Sequence, residues 1–176
     1  MGRLKVIINS DEGCFAPDER FKKEIKKAVA AVLESEGIKK SCVTYVTFVG
    51  SDEIRRLNRK YMKKNRVTDV LSFPSVADFD NISPFDYEYF EEGSRSVKYL
   101  NLGDMILYEG AIVRHAKEFK DVFGNGLENS FENETIYMVI HSTLHLLGYD
   151  HVTSEEDNKI MTDKQNEIFF KLKNIK

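Results

Sequence analysis

The stretch from Ser130 to His151 constrains this chain more than any other. Within it Ile136-Tyr137-Met138-Val139-Ile140 is apolar on all sides, which predicts a helix over about 130–147 buried at the centre of the molecule. Three of the four histidines fall in the segment His141-Ser-Thr-Leu-His145-Leu-Leu-Gly148-Tyr-Asp-His151. On a helix His141 and His145 stand one turn apart on the same face, with Cβ atoms about 5–6 Å apart, so both imidazoles can aim at one ion. Gly148 can take a left-handed conformation, end the helix and swing the chain back so that His151 reaches the same ion from another side. Three neutral imidazoles with an open fourth position describe a catalytic zinc site rather than a closed structural one. The expectation is therefore one zinc ion on His141, His145 and His151; the alternative is a hydrogen-bonded core pair with a third imidazole closing the turn.

This ligand spacing is shared with metzincin peptidases, which carry a glutamate directly after the first histidine as general base. Here that position is Ser142. A hydroxyl with no neighbouring base cannot take a proton from water at neutral pH as a carboxylate does. The ligand pattern is present without the peptidase base, and no catalytic side chain is assigned.

The rest of the chain reads as mixed strands and helices. Strands are expected at Leu4–Asn9, Val43–Val49, Val70–Phe73 (ended by Pro74) and Tyr99–Leu107. Helices are expected from Pro17 to a stop at Gly37, after a cap at Ser51, and over Glu109 to about Phe119. The first of them carries Phe21, Ile25, Ala28, Val29, Val32 and Leu33 at helical spacing. A last helix starts at Thr153 or Ser154, where Thr153-x-x-Glu156 is a possible capping box, and ends near Leu172. Residues 75–98 hold six acidic and two basic side chains and five aromatics with no clear period, and are expected to form a long loop. Strands and helices do not alternate strictly, so the expected class is α+β: a small mixed sheet packed with helices, the metal site lying on the central helix and its following turn.

A length of 176 residues fits one domain, 1–176. With 41% hydrophobic and 31% charged residues, collagen-like and disordered readings are excluded. The apolar run Ile136–Ile140 is far below the roughly 20 residues a transmembrane helix needs, so no membrane partner is expected. The N-terminal Met-Gly-Arg-Leu-Lys-Val lacks a secretory pattern, and Cys14 and Cys42 form no C-x-x-C pair; both observations point to a cytoplasmic chain with reduced thiols. The net charge of −3 gives no global pull toward nucleic acid. Locally, however, Arg55 to Arg66 holds seven basic residues and no acidic one. From this patch Arg59, Lys63, Lys64 and Arg66 are the candidate phosphate contacts, a solvated helix face being the alternative. Asp69 and Asp150 have turn and capping duties or a role beside the metal, and His115 is assigned no chemistry.

Three blocks carry a family resemblance. They are Leu57-Asn58-Arg59-Lys60-Tyr61 with Thr68-Asp69-Val70-Leu71-Ser72-Phe73-Pro74, then Leu102-Gly103-Asp104-Met105-Ile106, then His141 through His151. In this order they resemble the YbeY-type ribosomal RNA maturation factors, single-strand-specific metal-dependent endoribonucleases. The resemblance implies an α+β fold, a zinc on His141, His145 and His151, and action on small-subunit ribosomal RNA as a hydrolase in ribosome biogenesis. Two positions depart from the family pattern: Ser142 stands where glycine is usual, and Met62 where an arginine implicated in activity is usual. Lys63, Lys64 or Arg66 could stand in for that arginine. Two other functions share the same residues: a metal-dependent hydrolase of another substrate, and a non-catalytic ribosome-assembly factor with a structural zinc. Oligomeric state and cleavage site have no signal in the sequence.

Overall fold

The structure, a computed structural model, describes residues 2–79, 81–120, 123, 127–150 and 154–174. Among the described residues five strands, β1 (Leu4–Ser10), β2 (Cys42–Phe48), β3 (Val70–Pro74), β4 (Tyr87–Glu92) and β5 (Arg95–Leu107), form one mixed sheet, and five α-helices pack on it. The helices are α1 (Glu19–Ser35), α2 (Ser51–Met62), α3 (Glu109–Glu118), α4 (Phe131–Leu146) and α5 (Glu155–Leu172). Strands β1, β2 and β5 run parallel, while β3 and β4 both pair antiparallel with β5. The α+β expectation holds. Among the described residues no helix is long and apolar enough to cross a membrane.

Alternation along the strands divides the apolar residues between two cores. Val46, Phe48, Leu100, Leu102, Met105 and Leu107 point to the face covered by α1, α4 and α5. Val49, Ile54 and Leu71, with Leu57, Phe73 and Ile106, form a smaller cluster under α2 on the opposite face. The six apolar residues read from the spacing of α1 are the six that it buries. At Gly103 φ is +122°, and a Cβ there would stand 2.1 Å from the Phe73 carbonyl oxygen. The glycine therefore lets β3 close against β5, which sets Ser72 and Pro74 opposite α4.

Residues 75–98 differ from the expected loop. A 3-10 turn at Pro84–Asp86 leads into β4, which forms a hairpin with β5. Glu92 and Arg95 are paired residues, so Gly93 and Ser94 form a two-residue turn, with Gly93 at φ +65°. Glycine at the first central position is what such a tight turn favours. Two acidic side chains of the hairpin are spent within the sheet face: Glu88 accepts from Tyr45 and Asn101, and Glu92 pairs with Arg3 and Lys5. Helix ends also differ by small steps. Asp18, not Pro17, precedes α1 and caps it by accepting from Phe21 N at 2.7 Å. Gly50 is the cap of α2, and Ser51 is its first helical residue. Ser154 caps α5 through Asp157 N; Thr153 and the capping box assigned to it lie outside the described residues.

Candidate metal centre

From Glu134 to the end of α4 every residue is fully buried except Tyr137, His141 and His145. These three lie four residues apart on a single line, which leaves one stripe of an otherwise enclosed helix open, and two of its three members are imidazoles. The helix then ends in a Schellman turn: Gly148 N donates to His145 O at 2.9 Å and Tyr149 N to Leu144 O at 3.1 Å, with Gly148 at φ +93°. The left-handed glycine expected from the sequence is the device that makes this turn.

The turn also orients an imidazole. Doubling back brings the Tyr149 carbonyl within 2.7 Å of His145 Nδ1. A carbonyl only accepts, so Nδ1 carries the hydrogen and the Nε2 lone pair points outward. His141 Nδ1 lies 3.0 Å from Gln165 Oε1, and the Gln165 amide is itself oriented because its Nε2 donates to Tyr137 O at 3.1 Å. Both imidazoles are thus held in the same tautomer. Their Nε2 atoms converge to 3.1 Å with the rings at 80°. Two lone pairs at that separation repel unless a cation or a shared proton lies between them. Zinc–nitrogen bonds of about 2.0–2.1 Å at a tetrahedral angle would place the two nitrogens about 3.3 Å apart, so the pair fits two positions of such a site. His151, the third ligand expected from the sequence, lies outside the described residues. Among the described residues no group of three or more His, Cys, Asp or Glu converges on one point.

The imidazoles open into a cavity of about 750 Å³. One wall is α4 and its turn, with Met138, Tyr149 and Asp150; the other is the end of α2, the segment 64–69 and β3. Of the four candidate phosphate contacts, Lys64 and Arg66 line this cavity and Arg59 and Lys63 do not. The difference has a local cause. Lys63 takes a left-handed conformation, φ 59°, at the end of α2, and its Nζ donates to Lys60 O at 3.0 Å. The chain reverses there, so Lys64 and Arg66 come round to the cavity while Lys63 stays on the helix end. Asn58, 2% exposed, fastens the reversal by donating from Nδ2 to Arg66 O at 2.8 Å. Arg56 is neutralised by Glu53. Met62 lines the same cavity. No described residue of 76–98 does, so the acidic hairpin adds no charge there, although the carboxylates of Asp69 and Asp150 do line the cavity.

Asp69 also lines the cavity, yet its Oδ1 accepts from Thr68 Oγ1 and Val70 N, both at 2.9 Å. That is the turn-closing duty expected at the start of a strand. His115, assigned no chemistry from the sequence, packs within the fold away from the cavity. Its Nδ1 lies 2.7 Å from Oε1 of Glu134, a carboxylate only 1% exposed. Sequence reading missed the outer supports altogether: Gln165 behind His141, and Glu36, which accepts from Tyr149 Oη and from Lys164 Nζ, both at 2.7 Å. Burial pushes the Glu36 carboxyl up, but the Lys164 and Tyr149 hydrogen bonds outweigh it and hold the group below its ordinary range. The turn that ends α4 is thereby tied to α1 and α5.

Ser142, which departs from the family's glycine, is fully buried outside the cavity wall, and its Oγ has no hydrogen-bond partner among the described residues. It is no base. A buried hydroxyl left unpaired costs about 1–3 kcal/mol, so Ser142→Ala is expected to raise the thermal midpoint while leaving metal content unchanged. A lowered midpoint on thermal denaturation would show that the hydroxyl does make a bond.

The model of the family described as endoribonuclease YbeY matches residues 6–173. The chain is 37% identical over 148 residues to the endoribonuclease YbeY of Thermoanaerobacter sp. (strain X514), covering 84% of this chain and 85% of that one. It is 33% identical over 171 residues to the endoribonuclease YbeY of Clostridium acetobutylicum, covering 93% and 95%. Among solved structures, the solution structure of TM1509 from Thermotoga maritima superposes with a TM-score of 0.56 at 26% identity, over 95% of this chain and 88% of that one. By sequence over nearly its whole length, the chain belongs to the endoribonuclease YbeY family.

Proposed function

We propose that this chain is a zinc-dependent endoribonuclease that cuts single-stranded RNA in the cytoplasm, acting on ribosomal RNA of the small subunit during ribosome biogenesis. Its membership of the endoribonuclease YbeY family makes it a hydrolase of the endoribonuclease type. The observation that carries the metal part is the pair of His Nε2 lone pairs converging to 3.1 Å at a cavity lined by Lys64 and Arg66. His151 is proposed as the third ligand. A divalent cation on these imidazoles supplies Lewis acidity, polarising a phosphoryl oxygen and acidifying water.

The chain's own residues do the remainder. Tyr149 O and Gln165 Oε1 hold the two imidazoles in the ligating tautomer. Lys64 and Arg66 offset phosphate charge, Arg66 with a guanidinium fork suited to phosphate oxygens. A cavity of about 750 Å³ receives a splayed-out nucleotide, which single strands present and A-form duplexes keep stacked. Lys64 and Arg66 at the cavity give a polyanion a point of attachment, and the absence of a carboxylate at Ser142 removes the usual peptidase base.

The test is cleavage of a single-stranded RNA and of its duplex by purified, chelator-stripped protein, before and after Zn2+ is restored. Restored cutting of the single strand with the duplex spared is the expected result. Metal-dependent cleavage of casein without RNA cleavage would support the other hydrolase. RNA binding without turnover would support the assembly factor with a structural zinc.

A further inference from the structure

We infer that Gln165 is the positioning residue that fixes the tautomer and donor strength of His141, an inference that rests on the metal-centre reading proposed for the same cavity. Gln165 is 4% exposed and sits on α5, a different helix from its partner. Its amide spans one turn of α4, donating to Tyr137 O at 3.1 Å and offering Oε1 to His141 Nδ1 at 3.0 Å. Tyr137 O lies one turn before His141, so the amide clamps the ring to the backbone of its own helix. Reversing the amide would face its NH2 toward the Nδ1 hydrogen and its oxygen toward the Tyr137 carbonyl, losing both bonds. The orientation is therefore self-consistent only with the hydrogen on Nδ1 and the lone pair on Nε2.

The chemistry of the holder matters as much as its position. A carboxylate behind a metal-ligating imidazole draws the Nδ1 proton and makes the ring a stronger donor; a neutral carbonyl does so less. Both described imidazoles here are backed by neutral carbonyl oxygens, from Gln165 and Tyr149. A cation on imidazoles so backed would keep more of its own charge and be a stronger Lewis acid toward phosphate. Helix α5 serves both supports, since Lys164, adjacent to Gln165, holds the Glu36 that anchors the Tyr149 ring.

Two variants and two readouts test this. Gln165→Leu keeps the volume and removes both hydrogen bonds; Gln165→Glu keeps an acceptor for His141 Nδ1 and adds charge, at the cost of the bond to Tyr137 O. Nitrogen-15 NMR of the imidazoles in metal-free protein at alkaline pH reads the tautomer directly. The Nδ1–H form of His141 is expected to persist in the unsubstituted chain and in Gln165→Glu, and to give way to a mixture in Gln165→Leu. Zn2+ affinity, measured by competition with a chromogenic chelator, is expected to fall about 10–100-fold in Gln165→Leu and to hold or tighten in Gln165→Glu. A merely structural glutamine would weaken both variants alike and leave the tautomer unmoved, and that result would overturn the inference. If the unsubstituted chain takes up no Zn2+, the proposed function falls instead, and the tautomer measurement alone decides the role of Gln165.

Discussion

His141→Ala and His145→Ala are each expected to abolish metal retention and RNA cleavage while leaving the fold intact. Metal chemistry at a phosphoryl centre contributes several kcal/mol of barrier lowering, and at about 1.4 kcal/mol per decade its loss is on the order of a thousandfold in rate. The fold should survive because both side chains lie on the one open stripe of α4, whereas its apolar anchors, Ile136, Val139, Ile140, Leu144 and Leu146, are all within 1% of full burial. Elemental analysis should read about one divalent ion per unsubstituted chain and close to none in either variant. Circular dichroism should be unchanged in the metal-free proteins. Undiminished metal in both variants would remove the site from this helix.

The legibility of α4 in the sequence has a physical cause. A helix apolar on every side has only one place to go, and when two histidines share its single polar line their direction follows from the 3.6-residue period. Gly148 was legible for a related reason, since a glycine three residues beyond the last imidazole has few duties other than ending a helix. The β4–β5 hairpin was not. β4 sets Tyr87, Tyr89 and Glu91 on one face and Glu88, Phe90 and Glu92 on the other, so aromatic and acidic residues mix on both and period two is lost. The pairing depends on Gly93-Ser94 and on partners in β5, which local hydropathy does not show.

Gln165 and Glu36 were illegible for a deeper reason. Each acts across 24 and 113 residues of chain respectively, through packing of α5 and α1 on α4, and nothing beside them in sequence marks them out. The basic segment falls between these cases. Its charge was plain, but the division between Lys63 on the helix end and Lys64 at the cavity turns on a single left-handed residue. Charge counting cannot resolve that step. The geometry singles out Lys64 and Arg66 as the cavity's cations.

That selection leads to the second large effect, at Met62. Its side chain is 42% exposed and lines the cavity, at the position where the family resemblance implies an arginine acting on phosphate. Methionine can neither donate a hydrogen bond nor offset charge, so the cation must come from elsewhere on the same wall. Arg66 is placed to supply it, because Asn58 fixes the Arg66 backbone against the end of α2. Arg66→Ala is expected to slow RNA cleavage on the order of a hundredfold, the roughly 3 kcal/mol typical of one lost charge-stabilising contact, with metal content unchanged. Lys63→Ala should cost little, since its ammonium caps the Lys60 carbonyl outside the cavity wall. Met62→Arg should change the otherwise unsubstituted chain little, yet recover much of the rate lost in Arg66→Ala, because a guanidinium at either position reaches the same phosphate. If Met62→Arg alone raises the rate by tenfold or more, the neighbouring cations are not substitutes and the wall lacks its phosphate contact. If Arg66→Ala and Lys64→Ala both leave single-turnover cleavage unchanged, charge on the phosphate is met by the metal and not by this wall.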